Sequence, residues 1–381
     1  MSLSSTLSSA LSGLTAAARG AEVVSANVAN ATTEGYGRRE LTLASQSVGH
    51  VGAGVRVVGV ERQVDLALLS DRRIAEASHA GVAVEGEFLS RLETAYGTPD
   101  QANSLSGLIA GFERALIEAA SRPDSEARLS NVAETARQMV AKINAVGRTI
   151  QQARGEADAA IAGQVAELNT TLAQIAELNG QIRAYSGGNR DASALIDQRQ
   201  QLIDRIAAAV PLREVSRDHD QIALYTTGGA ILLDGRPAEL GFTPSNRITP
   251  DMAVGGALSG LTINGNPVTT SGATGPIAGG ALAANFALRD ALAPTAQTRL
   301  DALARDLVER MADPAVDPTL TPGDPGLFTD AGAAFLAADE VGLAQRLRLN
   351  ALADPVAGGA LWRLRDGLGA TAQGPVGNAA G

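Results

Sequence analysis

The 381-residue chain contains no cysteine, which removes disulfides, thiolate zinc sites and a cysteine nucleophile. It has three histidines, His50, His79 and His219, far apart and in no ligand spacing, so no metal site is expected. Aromatic residues make up only 3% of the chain against 45% apolar residues, and glycine is plentiful at 42. The apolar mass is mostly Ala, Leu and Val, side chains suited to helices packed closely along their lengths. There is no basic surplus: 31 Lys and Arg stand against 41 Asp and Glu, a net charge of −10. Nucleic acid demands a basic footprint, so none is expected as a partner. No run approaches ~18 consecutive apolar residues, which speaks against membrane insertion. The first charged side chain is Arg19, and Ser and Thr interrupt the preceding stretch. A secretory signal has a basic start and an unbroken apolar run, so any export is expected to use another route.

Nucleotide and catalytic motifs are missing too. Gly52-Ala53-Gly54 is a lone GxG with no following helix, there is no GxxxxGK[ST], and no GxSxG is paired with a credible downstream histidine. Asp218-His219-Asp220 sits between two predicted strands, where these residue types favour a turn over a metal site. The carboxylates fall mostly on helix faces between apolar positions, where solvated charge is the default. Asp197, Arg199, Asp204 and Arg205 read as exposed ion pairs on one helix. No catalytic, cofactor-binding or metal residue is therefore expected, and no enzyme.

What is present is periodic. Leu3, Leu7, Ala10, Leu14, Ala17, Ala21, Val24 and Val28 follow steps of four and three, a heptad seam on an amphipathic helix that seeks a partner. Its other positions are mostly Ser, Thr, Ala and Gly, so the helix is expected to be disordered until assembled. Ala29–Arg39 ends it, and two strands follow around the Gly52 and Gly54 turn. Helix resumes from Val64 to about Ala120, divided at Gly97-Thr98-Pro99. The longest regular feature comes next: Leu129, Val132, Ala136, Met139, Ile143, Val146, Ile150, Ala153 and Ala157, a slip at Ile161, then Val165, Leu168, Leu172 and Ile175, and after a second slip Leu178, Ile182 and Tyr185. If helical throughout, residues 126–185 extend roughly 90 Å, with a possible bend at Gly147, Gly155 or Gly163, and Gly187-Gly188-Asn189 ends the run. An amphipathic helix over 195–210 precedes strands at 212–218, 221–226 and 230–234. The chain then stays Gly-, Pro- and Thr-rich with β-like alternation to 280, as at Leu261 and Ile263 before Asn264-Gly265. Helix returns over 281–312, and the tail holds one near 336–346.

Three segments resemble the flagellar axial proteins, and within them the junction branch. Ala10–Arg39, ALSGLTAAARGAEVVSANVANATTEGYGRR, is similar to the N-terminal pattern shared by rod, hook and junction subunits, matching at Leu11, Gly13, Leu14, Asn27, Asn30, Thr33, Gly35 and Tyr36. Leu178–Gly235 resembles the junction pattern, with Leu195, Asp197, Arg199, Leu202 and Asp204 as its signature helix and Gln200 where that pattern often has Asp. Gly279–Met311 resembles the branch's returning helix.

The resemblance implies a structural subunit joining hook to filament, exported unfolded through the flagellar type III apparatus and assembled by self-polymerisation. Implied partners are other copies in a ring or helical assembly, the hook protein, the next junction protein on the filament side, and the export apparatus with its chaperone. Leu3, Leu7, Leu11, Leu14, Val24, Val28, Asn27, Asn30, Thr33, Gly35 and Tyr36 are then the expected assembly interface. The alternatives are a rod or hook subunit, a secreted enzyme on a helical stalk, and a free coiled-coil adhesin. The pattern closes with a long C-terminal helix that pairs with the N-terminal one. Asp366–Gly381 carries no such heptads, so that segment is expected to lie outside this chain.

The expected fold is mainly α with a β-rich insertion: long antiparallel, coiled-coil-like helical rods plus a small β-rich domain. Along the chain the expected segments are an N-terminal axial helix over 1–35, a helical rod with a short β excursion over 36–211, a β-rich unit over 212–280, and returning helices with an irregular tail over 281–381.

Overall fold

The heptad positions of the N-terminus wind into α1 (Leu3–Ala29), and the alternating residues after it pair as β1 (Arg38–Val48) and β2 (Val51–Gln63). The two strands form an antiparallel hairpin in the register Arg38↔Gln63 and Leu41↔Val60. The computed structural model describes residues 3–33, 35–48, 51–187, 191–272 and 274–375. The Gly188-Asn189 stop and the last residues of Asp366–Gly381, from 376 on, lie outside them.

Helix α2 (Leu66–Tyr96) starts where Asp65 Oδ1 accepts the N–H groups of Ala67 and Leu68, both at 3.0 Å, and α3 spans Leu105–Ser121. Between them Gly97 turns the chain at φ +78°, and Ser104 Oγ caps α3 by accepting from Gly107 N at 3.0 Å. Helix α4 runs 62 residues, Glu126–Gly187. Every expected seam residue from Leu129 to Ile182 is buried, slips included. Tyr185 is the exception at 39% exposure, a side chain whose polar tip tolerates water. The expected glycine bend is absent from the secondary structure, because Gly147 serves packing instead. A Cβ there would sit 2.8 Å from Gln345 Cγ, and Gln345 Nε2 donates to Gly147 O at 3.0 Å.

Contacts divide the chain into two units: Met1–Val82, Ala162–Phe242 and Gly260–Ala284 form one, and Ala83–Ile161, Thr243–Ser259 and Asn285–Gly381 form the other. This partition differs from linear division at 35, 211 and 280, because α2 and α4 each contribute to both units.

In the first unit, α5 (Ser193–Ala207) and the second half of α4 lie with two small sheets. One has the order β3 (Leu212–Ser216), β4 (Ile222–Thr226), β5 (Ile231–Asp234), β6 (Arg236–Pro237); the other is β7 (Leu240–Gly241), β8 (Leu261–Ile263), β9 (Asn266–Val268). All neighbouring strands are antiparallel. Asn264 and Gly265 both take positive φ, the mark of the tight β8–β9 hairpin that their dipeptide predicts. Two asparagines of α4 bond strands as another strand would. Asn169 exchanges 2.8 Å hydrogen bonds with both backbone groups of Leu240, and Asn179 Nδ2 donates to Ile222 O at 2.9 Å.

In the second unit, the first half of α4 packs antiparallel to the returning helix: Gln151 bonds Gln297, while Arg154, farther along, bonds Arg289 O. The core they share includes Met139, Ile143, Val146, Leu300 and Phe328. The return is not one continuous helix. Helix α6 (Gly280–Ala287) meets α7 (Ala293–Met311) through a π turn at Leu288–Leu292. Pro294 opens α7 and has no N–H to complete the α ladder. The predicted helix near 336–346 shrinks to a 3₁₀ turn at Ala337–Asp339 and the four-residue α8 (Leu343–Arg346), broken by Gly342 at φ +81°. Strand β10 (Phe328–Asp330) pairs antiparallel with β11 (Leu347–Leu349), and a last turn, α9, spans Arg363–Asp366.

Not every carboxylate lies on a solvated face. Asp158 is buried, accepting from Arg289 Nη1 at 2.6 Å and Ser245 N at 2.7 Å. Asp301 is buried as well, accepting from Gly342 N and Ala344 N at 2.8 Å each and so holding α8 against α7. Replacing Asp158 by Ala removes the acceptor of Arg289 Nη1 and of Ser245 N while Arg289 keeps Asp290, and the expected cost is about 1–3 kcal/mol. A chemical-denaturation midpoint within error of the parent chain would contradict this account of the Arg289 site.

Candidate assembly surface and the clamp behind it

Helix α1 carries two stripes of heptad spacing on different faces, and only one is covered. Ser9, Ser12, Ala16, Gly20 and Asn27 face the hairpin. Ala16 is buried, and Ser12 Oγ accepts from Val55 N at 3.2 Å. Gly54, at φ +102°, lies so close that a Cβ would sit 2.1 Å from Ser12 Oγ, and a Cβ on Gly20 would touch Leu41 at 3.9 Å. Small residues on both sides permit this approach. The seam residues Leu3, Leu7, Leu11, Leu14, Val24 and Val28 point elsewhere, each at least 61% exposed. An apolar stripe of this extent marks an interaction surface, and burying each such side chain yields about 1.5–3 kcal/mol.

The other candidate interface residues work within the chain. Asn27 Oδ1 accepts from Tyr36 Oη and Arg39 N, both at 2.9 Å, while its Nδ2 donates to Arg39 O at 2.8 Å. One side chain thus ties the end of α1 to the start of β1. Asn30 Nδ2 donates to Ala26 O at 2.9 Å, and Thr33 Oγ1 donates to Asn30 Oδ1 at 3.3 Å. Gly35 turns at φ +76°, where a Cβ would also meet Gln201 Cγ at 2.5 Å. Tyr36 stacks beneath the Arg39 guanidinium at 5.1 Å.

Behind this corner stands the signature helix, and the expected exposed ion pairs are corrected here. Asp197 and Arg199 are two residues apart, which places them on different faces of α5, and both are buried. Asp197 Oδ1 accepts from Arg62 Nε at 2.6 Å and Gly37 N at 3.1 Å, and its Oδ2 accepts from Arg39 Nη2 at 3.1 Å. One carboxylate thereby holds both hairpin strands and the signature loop. Asp204 pairs with Arg72 and with the buried Arg73, both at 2.7 Å, and Arg73 also reaches Glu214 at 3.2 Å. Arg199 Nη1 donates to Asn179 Oδ1 at 2.8 Å and Asp220 O at 2.7 Å. Burial pulls the Arg199 pKa down, but a guanidinium keeps its charge. Leu202 is buried and Leu195 half-buried. Sequence reasoning assigned no role to Arg62, Arg73, Asn179 or Glu214, whose partners are distant along the chain; Arg39, Asn179 and Glu214 stood inside the segments that resemble the axial proteins.

The Asp218-His219-Asp220 segment is a turn, with His219 at φ 55° and Asp220 at φ 58°. Among the described residues no three His, Cys, Asp or Glu side chains group as metal ligands, and no helix is long and apolar enough to cross a membrane.

Comparison with known proteins follows the same two regions. Residues 89–314 match the family described as the flagellar hook-associated protein FlgK helical domain, and residues 7–36 match the flagella basal body rod protein family. Flagellar hook-associated protein 1 of Salmonella typhimurium strain LT2 is 29% identical over 252 residues, 64% of this chain and 45% of that protein. The Escherichia coli K12 protein of the same name is 26% identical over 252 residues, 64% of this chain and 46% of its own length. That of Bacillus subtilis 168 is 26% identical over 230 residues, 56% of this chain and 45% of its own. The chain thus spans less than half the length of these curated relatives. The solved structure of the flagellar hook junction protein FlgK from Burkholderia pseudomallei aligns with a TM-score of 0.54 at 22% identity, covering 68% of this chain and 46% of that one, a likeness of fold.

Replacing Asp197 by Ala leaves Arg39 and Arg62 without their shared acceptor. The expected result is faster amide hydrogen exchange across residues 38–63 and a stability loss of about 3–5 kcal/mol. Unchanged protection of the hairpin would remove the clamp from the account.

Proposed function

The chain belongs to the FlgK helical-domain family of flagellar hook-associated proteins, and on that premise we propose that it is a non-catalytic structural subunit joining hook to filament. The observation that carries this reading is the bare Leu3–Val28 stripe. The helix already has a covered face on its own hairpin, so a second apolar stripe answers to something outside the described fold. A catalytic protein gathers polar groups into a cleft. Here Asp197, Arg39 and Arg62 are spent on one another, which leaves them to set the direction of α1 and not to act on a substrate.

The partners that follow are other copies of the chain, the hook protein, the next junction protein on the filament side, and the flagellar export apparatus with its chaperone. The location is the flagellum outside the cell, reached by type III export. A rod or hook subunit is the nearest alternative, since the match at residues 7–36 is to a rod family. The helical-domain match over 89–314, which contains the Asp197 helix, favours the junction.

Changing Leu7 and Leu14 together to Asp puts charge on the stripe without touching the face against the hairpin. Cells carrying this variant are expected to have hooks without attached filaments and to lose swimming, while the purified variant unfolds like the parent. Normal motility would refute the assembly role of the stripe.

A further inference from the structure

Arginine grips carboxylates in this chain in one recurrent way. The Nε–H and Nη2–H of Arg217, Arg289, Arg346 and Arg365 each point at the two oxygens of one aspartate, Asp234, Asp290, Asp330 and Asp366 respectively. This side-on fork matches the spacing of a carboxylate. Arg199 presents the same fork and does not use it. Its side chain is 5% exposed, and Nη1 alone is engaged, by Asn179 Oδ1 and Asp220 O, which pin the plane of the guanidinium. Among the described residues Nε and Nη2 meet no acceptor and Arg199 joins no ion pair, yet neither atom is among the sealed, unpartnered ones. Arg199 lines a cleft of about 520 Å³ within the first unit, together with Ser193, Ile196, Ser216 and Gln221. That is the size of a small-molecule site. Glu214 and Asp220 offset part of the charge of Arg199 by proximity, but a buried pair of parallel donors without acceptors is costly, and that cost is offset when an anion of matching shape arrives.

The walls narrow the class of anion. Asp191, Glu214 and Asp220 also line the cleft. Glu214 is held by Arg73, Asp220 Oδ2 accepts from Ser186 Oγ, and Asp191 Oδ1 accepts from Ser193 N. Three neighbouring carboxylates oppose a doubly charged group such as phosphate. A single carboxylate needs one fork, and Ser216 and Gln221 add polar residues to the lining.

We propose that Arg199 and this cleft bind a monocarboxylate ligand, its two oxygens taken side-on by Nε and Nη2. The oxygens of a free small acid and of an acidic protein side chain are chemically alike, so the test runs both. In the whole chain, the Arg199 Nε–H and the Ser193 and Gln221 amide signals are followed by NMR during titration with lactate, with N-acetylglutamic acid amide, and with inorganic phosphate. Either carboxylate is expected to give a saturable shift with half-saturation at about 1–10 mM; the tighter one identifies the source, and phosphate binds at least tenfold more weakly. Arg199→Lys keeps the cation and loses the fork, and should weaken binding at least tenfold. Since Arg199 also anchors the Asp220 turn, Ser216→Leu supplies an independent check: it fills the cleft, leaves those anchors in place, and should weaken binding similarly. Shifts that stay linear with both acids, phosphate binding as tight as carboxylate, or affinity unchanged in Ser216→Leu would each overturn the proposal.

Discussion

The carboxylate of Asp197 is where separate stretches of the first unit are held together. It accepts from Gly37 N, Arg39 and Arg62, so the corner after α1, both strands of the hairpin and α5 share one acceptor. Two cations around one buried anion balance the charge that burial alone would forbid. Geometry then propagates outward. Arg62 reaches Gly35 O at 3.4 Å, Gly35 takes a backbone conformation that ordinary residues avoid, and Asn27 ties the last turns of α1 to β1. The direction of the N-terminal helix is thus set from its base, through polar contacts that demand specific partners.

That division of labour explains why the helix can afford an uncovered apolar face. Hydrophobic contacts are non-directional, so a Leu and Val stripe fixes little about orientation by itself. The small face of α1, seated on the hairpin through Ser12, Ala16 and Gly20, supplies position. The larger side chains remain for a partner. A surface oriented in this way leaves less ordering to offset on association.

The periodic parts of the fold were legible because periodicity is local. Leu129 through Ile182 could be read as one helix, and the β8–β9 turn at Asn264-Gly265 announced itself in two residues. The polar heart of the structure was not. Asp197 and Arg199 look like surface charge on a helix when only neighbours at three and four residues are considered. Their partners come from the hairpin, the end of α4 and the β3–β4 turn, and no spacing rule reaches that far. The π turn before Pro294 was hidden for a related reason: the apolar spacing over 281–312 reads as one continuous helix. The candidate interface split along the same line. Its apolar members were readable as outward-facing from the seam, whereas Asn27 and Tyr36, similar to the axial pattern, serve an internal corner that only the folded chain displays.

One irregularity in the sequence proves to have structural weight. Along α4 the apolar steps alternate between three and four until Ala153, then take three successive steps of four through Ala157 and Ile161 to Val165. Each step of four overshoots a full turn by about 40° and each step of three falls short by about 60°, so the alternating run drifts back around the helix and the three fours return Val165 to the face of Leu129. The contact boundary within α4 falls between Ile161 and Ala162. Up to it the buried stripe belongs to the core with α7; beyond it the stripe belongs to the unit containing α5 and the small sheets. On a straight helix a strict heptad would drift by about 20° per repeat, and the slip cancels that drift. The residues at the slip, Ala157 and Ile161, are buried, so the apolar stripe of this single helix runs on without a gap. The break in rhythm therefore keeps the buried stripe of α4 in line, without proline and without interrupting the helix.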